Sequence, residues 1–362
     1  MSAAPRVNRW IGLAAVLLAG SAASQAPAPP SPPANVTLPS TAAAVELIFT
    51  DAYPLEASVS FAVGLLHWVD SLAGTSGGKT VPQYRAEFYT TFGGLSDEDK
   101  AALRAFRDVR IRHARRNGVN DGDRGAPSLL GTFLEAEDLD SAVRSSGGQL
   151  SPADVAALRA SLTRFDARYR QLWLDGAVPR AFVAQARADP SRAELAALLA
   201  KIAKFFGVDP RRTPYPRIVL VPVPPGGGTH AEAVGRSLLI EIRAGETLSD
   251  ESPPIVHENS HFLWYRMDEA KNDRLREKAL EITGNDDAWR LLHEALPTAL
   301  GQGVAARAFL RSRWSPNVGW YHTEDVDRFA KQIYPEIQKA MNEGSPFDAA
   351  LLSRILHPAR SR

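Results

Sequence analysis

Cysteine is absent from the 362-residue chain. That single absence excludes disulfides, thiolate metal ligands, a cysteine nucleophile and a lipoprotein lipobox. An excess of one charge is missing too. With 42 Lys and Arg against 41 Asp and Glu, no bulk field draws nucleic acid to the surface. The apolar run near the N-terminus, Ile11 to Leu18, is too short for a settled helix across a bilayer core of roughly 30 Å. Hydrophobic residues make up 44% of the chain and charged residues 23%, a balance that builds a core and excludes a disordered protein. The length suits one large domain or two modest ones.

Arg6 and Arg9 precede that apolar run, and the small residues Ala19 to Ser24 follow it. Basic, apolar and small segments in this order read as a secretory signal peptide over residues 1–24, cut after Ala22 or Ser24, with a signal anchor as the alternative. Residues 25–40, QAPAPPSPPANVTLPS, read as a proline-rich, semi-rigid linker. An exported chain without disulfides must be held by its core, which points to a bacterial periplasmic or secreted protein with no stable membrane span after signal removal.

Residues 41–206 read as a helical region. Apolar residues return every three or four positions in 59–72, 97–116, 151–174 and 191–207, with Ser151-Pro152 as a helix start and Gly207 as a stop. The character changes at Pro214. The runs 217-RIVLVPV-223 and 237-SLLIEIR-243 read as two antiparallel strands, with Gly226 to Gly228 as the hairpin tip. That glycine run lacks the lysine of a phosphate loop. Further helices are predicted over 254–282, bent or broken near its polar middle, over 286–310 and over 324–344. The expected fold class is α+β, mostly α-helical, with a small antiparallel sheet inside a metal-binding region over 207–362.

The segment 255-IVHENSHFLWY-265 carries the chemistry. Residues four apart share a helix face, so His257 and His261 direct imidazoles at one point, the convergence a zinc ion needs. Glu258, about 100° around the helix, lies beside that point, where it can take a proton from water activated by the metal. Ile255, Val256, Phe262, Leu263 and Trp264 supply the apolar flanks of a buried helix.

This His-Glu-x-x-His segment resembles the zincin metallopeptidases. The metzincin branch places a glycine three positions after the second histidine and a histidine three further on, where this chain has Trp264 and Met267. Deformylase-like sites use a cysteine, which the chain lacks. The remaining resemblance is to the gluzincins, which take a third ligand from a glutamate on a following helix. It implies Glu294, 33 residues after His261, in the run Glu294-Ala295-Leu296-Pro297. Glu277 and Glu281 lie in a charged neighbourhood, and His293 is the competing ligand. Two positions depart from the thermolysin-like pattern: Thr298 replaces an aspartate four residues after the ligand, and Pro297 interrupts the helix.

The same resemblance implies that a downstream Tyr or His stabilises the oxyanion, and 319-GWYHTED-325 offers Tyr321 and His322. It also implies an edge strand that receives an extended peptide, a role given to 237–243. His230, beside the glycine run, reads as a solvent residue that could reach the cleft. The expectation is an exported zinc-dependent peptidase acting on a peptide or protein substrate, with Zn2+ held by His257, His261 and Glu294. The alternatives are an inactive zincin-like protein that uses zinc structurally, and a metal-free helical interaction protein.

Overall fold

The computed structural model describes residues 44–49, 52–76, 81–117, 128–210, 216–226 and 230–356. The expected signal peptide, the proline-rich linker and the tip of the glycine run at 227–228 lie outside these residues. The chain is α+β and mostly helical, as its periodicity predicts. No helix among the described residues is long and apolar enough to cross a membrane.

Strands β1 (Ala44–Phe49) and β2 (Leu55–Val59) come first. Helices α1 (Phe61–Ala73), α2 (Val81–Phe92), α3 (Asp97–Asn117), α4 (Leu129–Glu135), α5 (Leu139–Ser145) and α6 (Pro152–Trp173) follow. Then come α7 (Ala177–Ala188) and α8 (Ser191–Phe206), and the strands β3 (Arg217–Pro222), β4 (Ala231–Val234) and β5 (Ser237–Ile242). The remaining helices are α9 (Leu248–Arg266), α10 (Glu269–Thr283), α11 (Asp287–Thr298), α12 (Ala306–Leu310), α13 (Glu324–Glu343) and α14 (Ala349–Leu356). A π-helical segment, Ala299–Ala305, joins α11 to α12.

The sheet corrects the expected antiparallel pair. Its order is β1-β2-β3-β5-β4; β2, β3 and β5 run parallel, and the two edge strands run antiparallel to their neighbours. Segments 217–222 and 237–242 pair in parallel, from Arg217 opposite Ser237 to Pro222 opposite Ile242. The strand that returns antiparallel to β5 is Ala231–Val234, part of the stretch read from sequence as a loop. Every residue of β5 is buried, the condition of an interior strand covered on both faces. The first two strands also lie inside the region read as helical throughout. Their five- and six-residue lengths are too short to contrast with the helical periodicity around them.

Strand alternation divides the core in two. Ile218, Leu220, Leu238, Ile240 and Ile242 face a core completed by α7 to α14. Val219, Val221, Val223 and Leu239 face a second core built from α1 to α6. Helices from both halves of the sequence thus cover one central sheet. The helix expected over 254–282 breaks at Met267 and Asp268, and Asp268 caps the second piece by accepting from the Lys271 amide. The first piece begins earlier than expected, at Leu248, because Thr247 and Asp250 cap each other's backbone reciprocally.

An ion-pair cluster ties α3 to α6. Asp99, in the acidic first turn of α3, accepts from Arg164 Nε at 2.7 Å and from Arg168 Nη2 at 2.6 Å. Burial by itself would raise the Asp99 pKa, but these guanidinium hydrogen bonds outweigh it and hold the carboxyl well below the usual range. A depressed folded-state pKa stabilises the protein above the unfolded value near about 4 and loses that contribution as the pH falls through the folded value. Asp99→Asn is therefore expected to unfold at lower urea than wild type at pH 7, with the difference closing as the pH falls below about 4. A difference independent of pH would show that the carboxylate charge contributes nothing.

Candidate metal centre

Helix α9 is buried on nearly every side across the motif. Ile255, Val256, Phe262, Leu263 and Trp264 are each at most 1% exposed, while His257, Glu258 and His261 lie between 7% and 9%. The apolar flanks anchor the helix and leave the motif's polar face on a cavity of about 600 Å³, lined by His257, Glu258, His261, Glu294, Tyr321 and His322 among others. The structure thus brings every site residue expected from the sequence to one cavity.

His257 Nε2 and His261 Nε2 stand 3.1 Å apart. Glu294 Oε2 is 3.6 Å from the first and 3.5 Å from the second. Tetrahedral coordination with bonds of about 2.0–2.2 Å requires ligand atoms roughly 3.3–3.6 Å apart, so these three donor atoms have the spacing to hold a metal ion. Among the described residues this trio is the one His/Cys/Asp/Glu cluster with the spacing to hold an ion. Glu258 stays outside it, with Oε1 3.9 Å from His257 Nε2. The rejected ligand candidates lie elsewhere. His293 packs its ring on Trp264, centroids 4.3 Å apart, and Glu281 pairs with Lys278 at 2.8 Å.

The electrostatics follow from this convergence. Burial alone would disfavour charge on both His261 and Glu294. The mutual attraction of carboxylate and imidazoles wins, raising the pKa of His261 and depressing that of Glu294. Tyr321 lays its ring nearly parallel to His257, at 12° and a centroid separation of 6.2 Å. Its hydroxyl pKa is pushed up, first by burial and then by the Glu294 charge and hydrogen bond, so it is a proton donor at neutral pH. The loop that carries it is fixed by Asp327 of α13, which accepts from the Trp320 and Tyr321 amides at 2.5 and 3.2 Å. His322 is exposed and its ring lies tilted at 33° against that of Tyr321, centroids 4.3 Å apart.

Glu294 reaches the histidines because the π-helical segment meets α9 backbone to backbone. A Cβ on Gly301 would lie 2.7 Å from the Pro253 carbonyl oxygen and 2.9 Å from His257 Cβ. Pro297 does not break its helix, which continues to Thr298 before widening into the π segment. Thr298 is fully buried and its Oγ1 has no hydrogen-bond partner, so the departure from aspartate leaves no polar group orienting a histidine from this position.

The strand bordering the cavity is β4, an edge strand, and not the interior strand β5 expected from the sequence. His230, at the head of β4, also lines the cavity and is no free solvent residue. Its backbone N–H donates to Glu241 Oε2 at 2.7 Å, and its ring stacks on His67 at 6.2 Å. Glu241, fully buried, also pairs with His67 Nε2 at 2.6 Å and accepts from the Tyr84 hydroxyl at 3.2 Å. This network pins the start of the edge strand. Two signals for it were present in the sequence, an acid within the apolar run 237–242 and a lone histidine in the apolar helix 59–72.

A larger cavity of about 910 Å³ adjoins the first and shares Pro254 and Gln302 with it. Among the described residues it is lined by no group of His, Asp and Glu with the spacing to hold an ion. No family model matches the chain, and neither a curated protein nor a solved structure is significantly similar to it.

Gly301→Ala is expected to push the π segment away from α9, costing about 1–3 kcal/mol in a denaturant titration and weakening metal retention on dialysis. Wild-type values for both would mean that the contact is slack and does not set the ligand geometry.

Proposed function

We propose that the protein is an exported zinc-dependent metallopeptidase of the gluzincin type, with His257, His261 and Glu294 as ligands. The observation that carries this reading is the trio's three-ligand geometry, open on one side to a cavity that also holds an acid beside it and a tyrosine across it. A structural zinc site closes its tetrahedron with four protein ligands, whereas a catalytic one leaves a position for water or substrate. That difference favours catalysis over a purely structural use of zinc. Export rests on the basic, apolar and small segments of residues 1–24, and the balanced charge argues against a nucleic-acid partner.

Zinc, when bound, acts as a Lewis acid that lowers the pKa of a coordinated water toward about 7. The chain's own residues supply the rest. Glu258 accepts the proton of the attacking water on its carboxylate and returns it to the leaving amine. The Tyr321 hydroxyl donates a hydrogen bond to the carbonyl oxygen as negative charge grows on it, with His322 behind its ring. Among the described residues β4 has no strand on its outer side, and an extended peptide adds there as a further strand.

The test combines metal content and turnover. About one zinc per chain is expected in the wild type after dialysis, with zinc lost or weakened in His257→Ala and Glu294→Ala. Glu258→Gln is expected to keep its zinc while peptide hydrolysis falls by at least about 10²-fold. Full turnover in Glu258→Gln would sink the proposed mechanism, and a wild type that takes up no zinc would sink the metal site.

A further inference from the structure

The larger cavity lies past the C-terminal ends of β3 and β5, with Pro222 to Gly226 and Arg243 to Glu246 in its wall. Following β4 backward from Val234 to His230 leads toward this end of the sheet, because β4 runs antiparallel to β5. The N-terminal third of α9 borders the cavity through Asp250 to Pro254, and the motif one turn further on borders the metal cavity. A chain laid along β4 past the metal centre therefore continues into the second cavity, across Pro254 and Gln302.

Two independent features mark this cavity as more than leftover space. The connection from α6 to α7 forms its rim, where Leu174 and Asp175 both adopt left-handed backbone with φ of 45° and 55°. A leucine takes this conformation at an energetic cost that aspartate largely escapes, so the strain lies at Leu174, and strained residues gather at binding and catalytic sites. The turn holds Leu174 65% exposed on the rim, and Val178, in the first turn of α7, lines the cavity beside it. In the wall, Glu251 is 2% exposed and its Oε2 has no hydrogen-bond partner. Burial, with Glu246 beside it, pushes the Glu251 pKa up to about 9, so this group is a neutral acid at pH 7 and repels no ligand.

We infer that the second cavity is a substrate subsite: an extended polypeptide cleaved at the metal centre continues past His230 and lodges an apolar side chain against Leu174 and Val178. The inference rests on the metallopeptidase reading and narrows it, since a substrate held beyond the metal in this direction and along β4 in the other is cut at an internal bond.

The experiment uses the zinc-loaded full-length protein and a pool of random decapeptides, with cut sites mapped by mass spectrometry. Cuts are expected at internal bonds, with an apolar residue at a constant distance from each. Leu174→Asp, which removes the apolar contact, and Val178→Trp, which fills the space beside it, should each raise KM for these decapeptides about tenfold, roughly the worth of one buried aliphatic side chain, and leave kcat and the hydrolysis of dipeptide amides unchanged. Leu174 is exposed, and aspartate tolerates left-handed backbone, so this variant folds. Cuts confined to terminal residues, or an unchanged KM in Leu174→Asp, would overturn the subsite. If the wild type cleaves no peptide, the peptidase reading fails, and calorimetry with a leucine-rich decapeptide judges the cavity separately. Binding weakened about tenfold by Leu174→Asp retains it as a peptide site; absent or unaltered binding overturns it.

Discussion

The contact between α9 and the π-helical segment at Gly301 is the constraint on which the site depends. Two histidines one turn apart on a helix supply two ligand atoms and no more. The third must come from another element at a separation of about 3.5 Å, which no loosely packed helix pair maintains. Gly301 lets the second backbone press on Pro253 and His257 with no side chain between them. The carboxylate of Glu294, seven residues earlier, then falls opposite the imidazole nitrogens. Ala299, Leu300 and Ala305 are completely buried around the contact, so the approach is held by the same apolar packing that forms the core.

The charges gathered there would be unfavourable in isolation. Two imidazoles and two carboxylates meet at the cavity wall, and burial opposes the ionisation of His261 and Glu294. Their opposite tendencies offset one another: Glu294 remains an anion because the histidines are beside it, and His261 gains basicity from the same pair. A divalent cation held between them would satisfy all three donor groups at once. Beside β4 the buried Glu241 is satisfied by several partners, the Tyr84 hydroxyl, the His67 ring and the His230 amide. That arrangement holds the edge strand in place without leaving a buried carboxylate unpaired.

The central sheet explains how residues so far apart in sequence share one cleft. Helices from the first half cover one face, and helices from the second half cover the other. The metal cavity is assembled where both meet the β4 edge: His67 comes from α1, His230 from the start of β4, the motif from α9 and Tyr321 from the loop before α13. Neither half makes the cleft alone.

The sequence by itself determined the helical character, the motif helix and the pair of histidines with Glu258 beside them, and it put Glu294 ahead of Glu277, Glu281 and His293 as the acid expected to join them. Each of these is local: a period of 3.6 residues puts positions four apart on one face, and an acid on an apolar helix face needs a partner. What only the tertiary structure decided is non-local. The parallel pairing of β3 with β5 depends on which helices cover the sheet, and the run 231–234 becomes a strand because β5 has a free edge beside it. Strands β1 and β2 are hidden by the helical periodicity around them, and His230 looks like a loop residue until Glu241 anchors its backbone. Strand direction, edge position and the close approach at Gly301 are properties of pairs of segments, and no single stretch of sequence carries them.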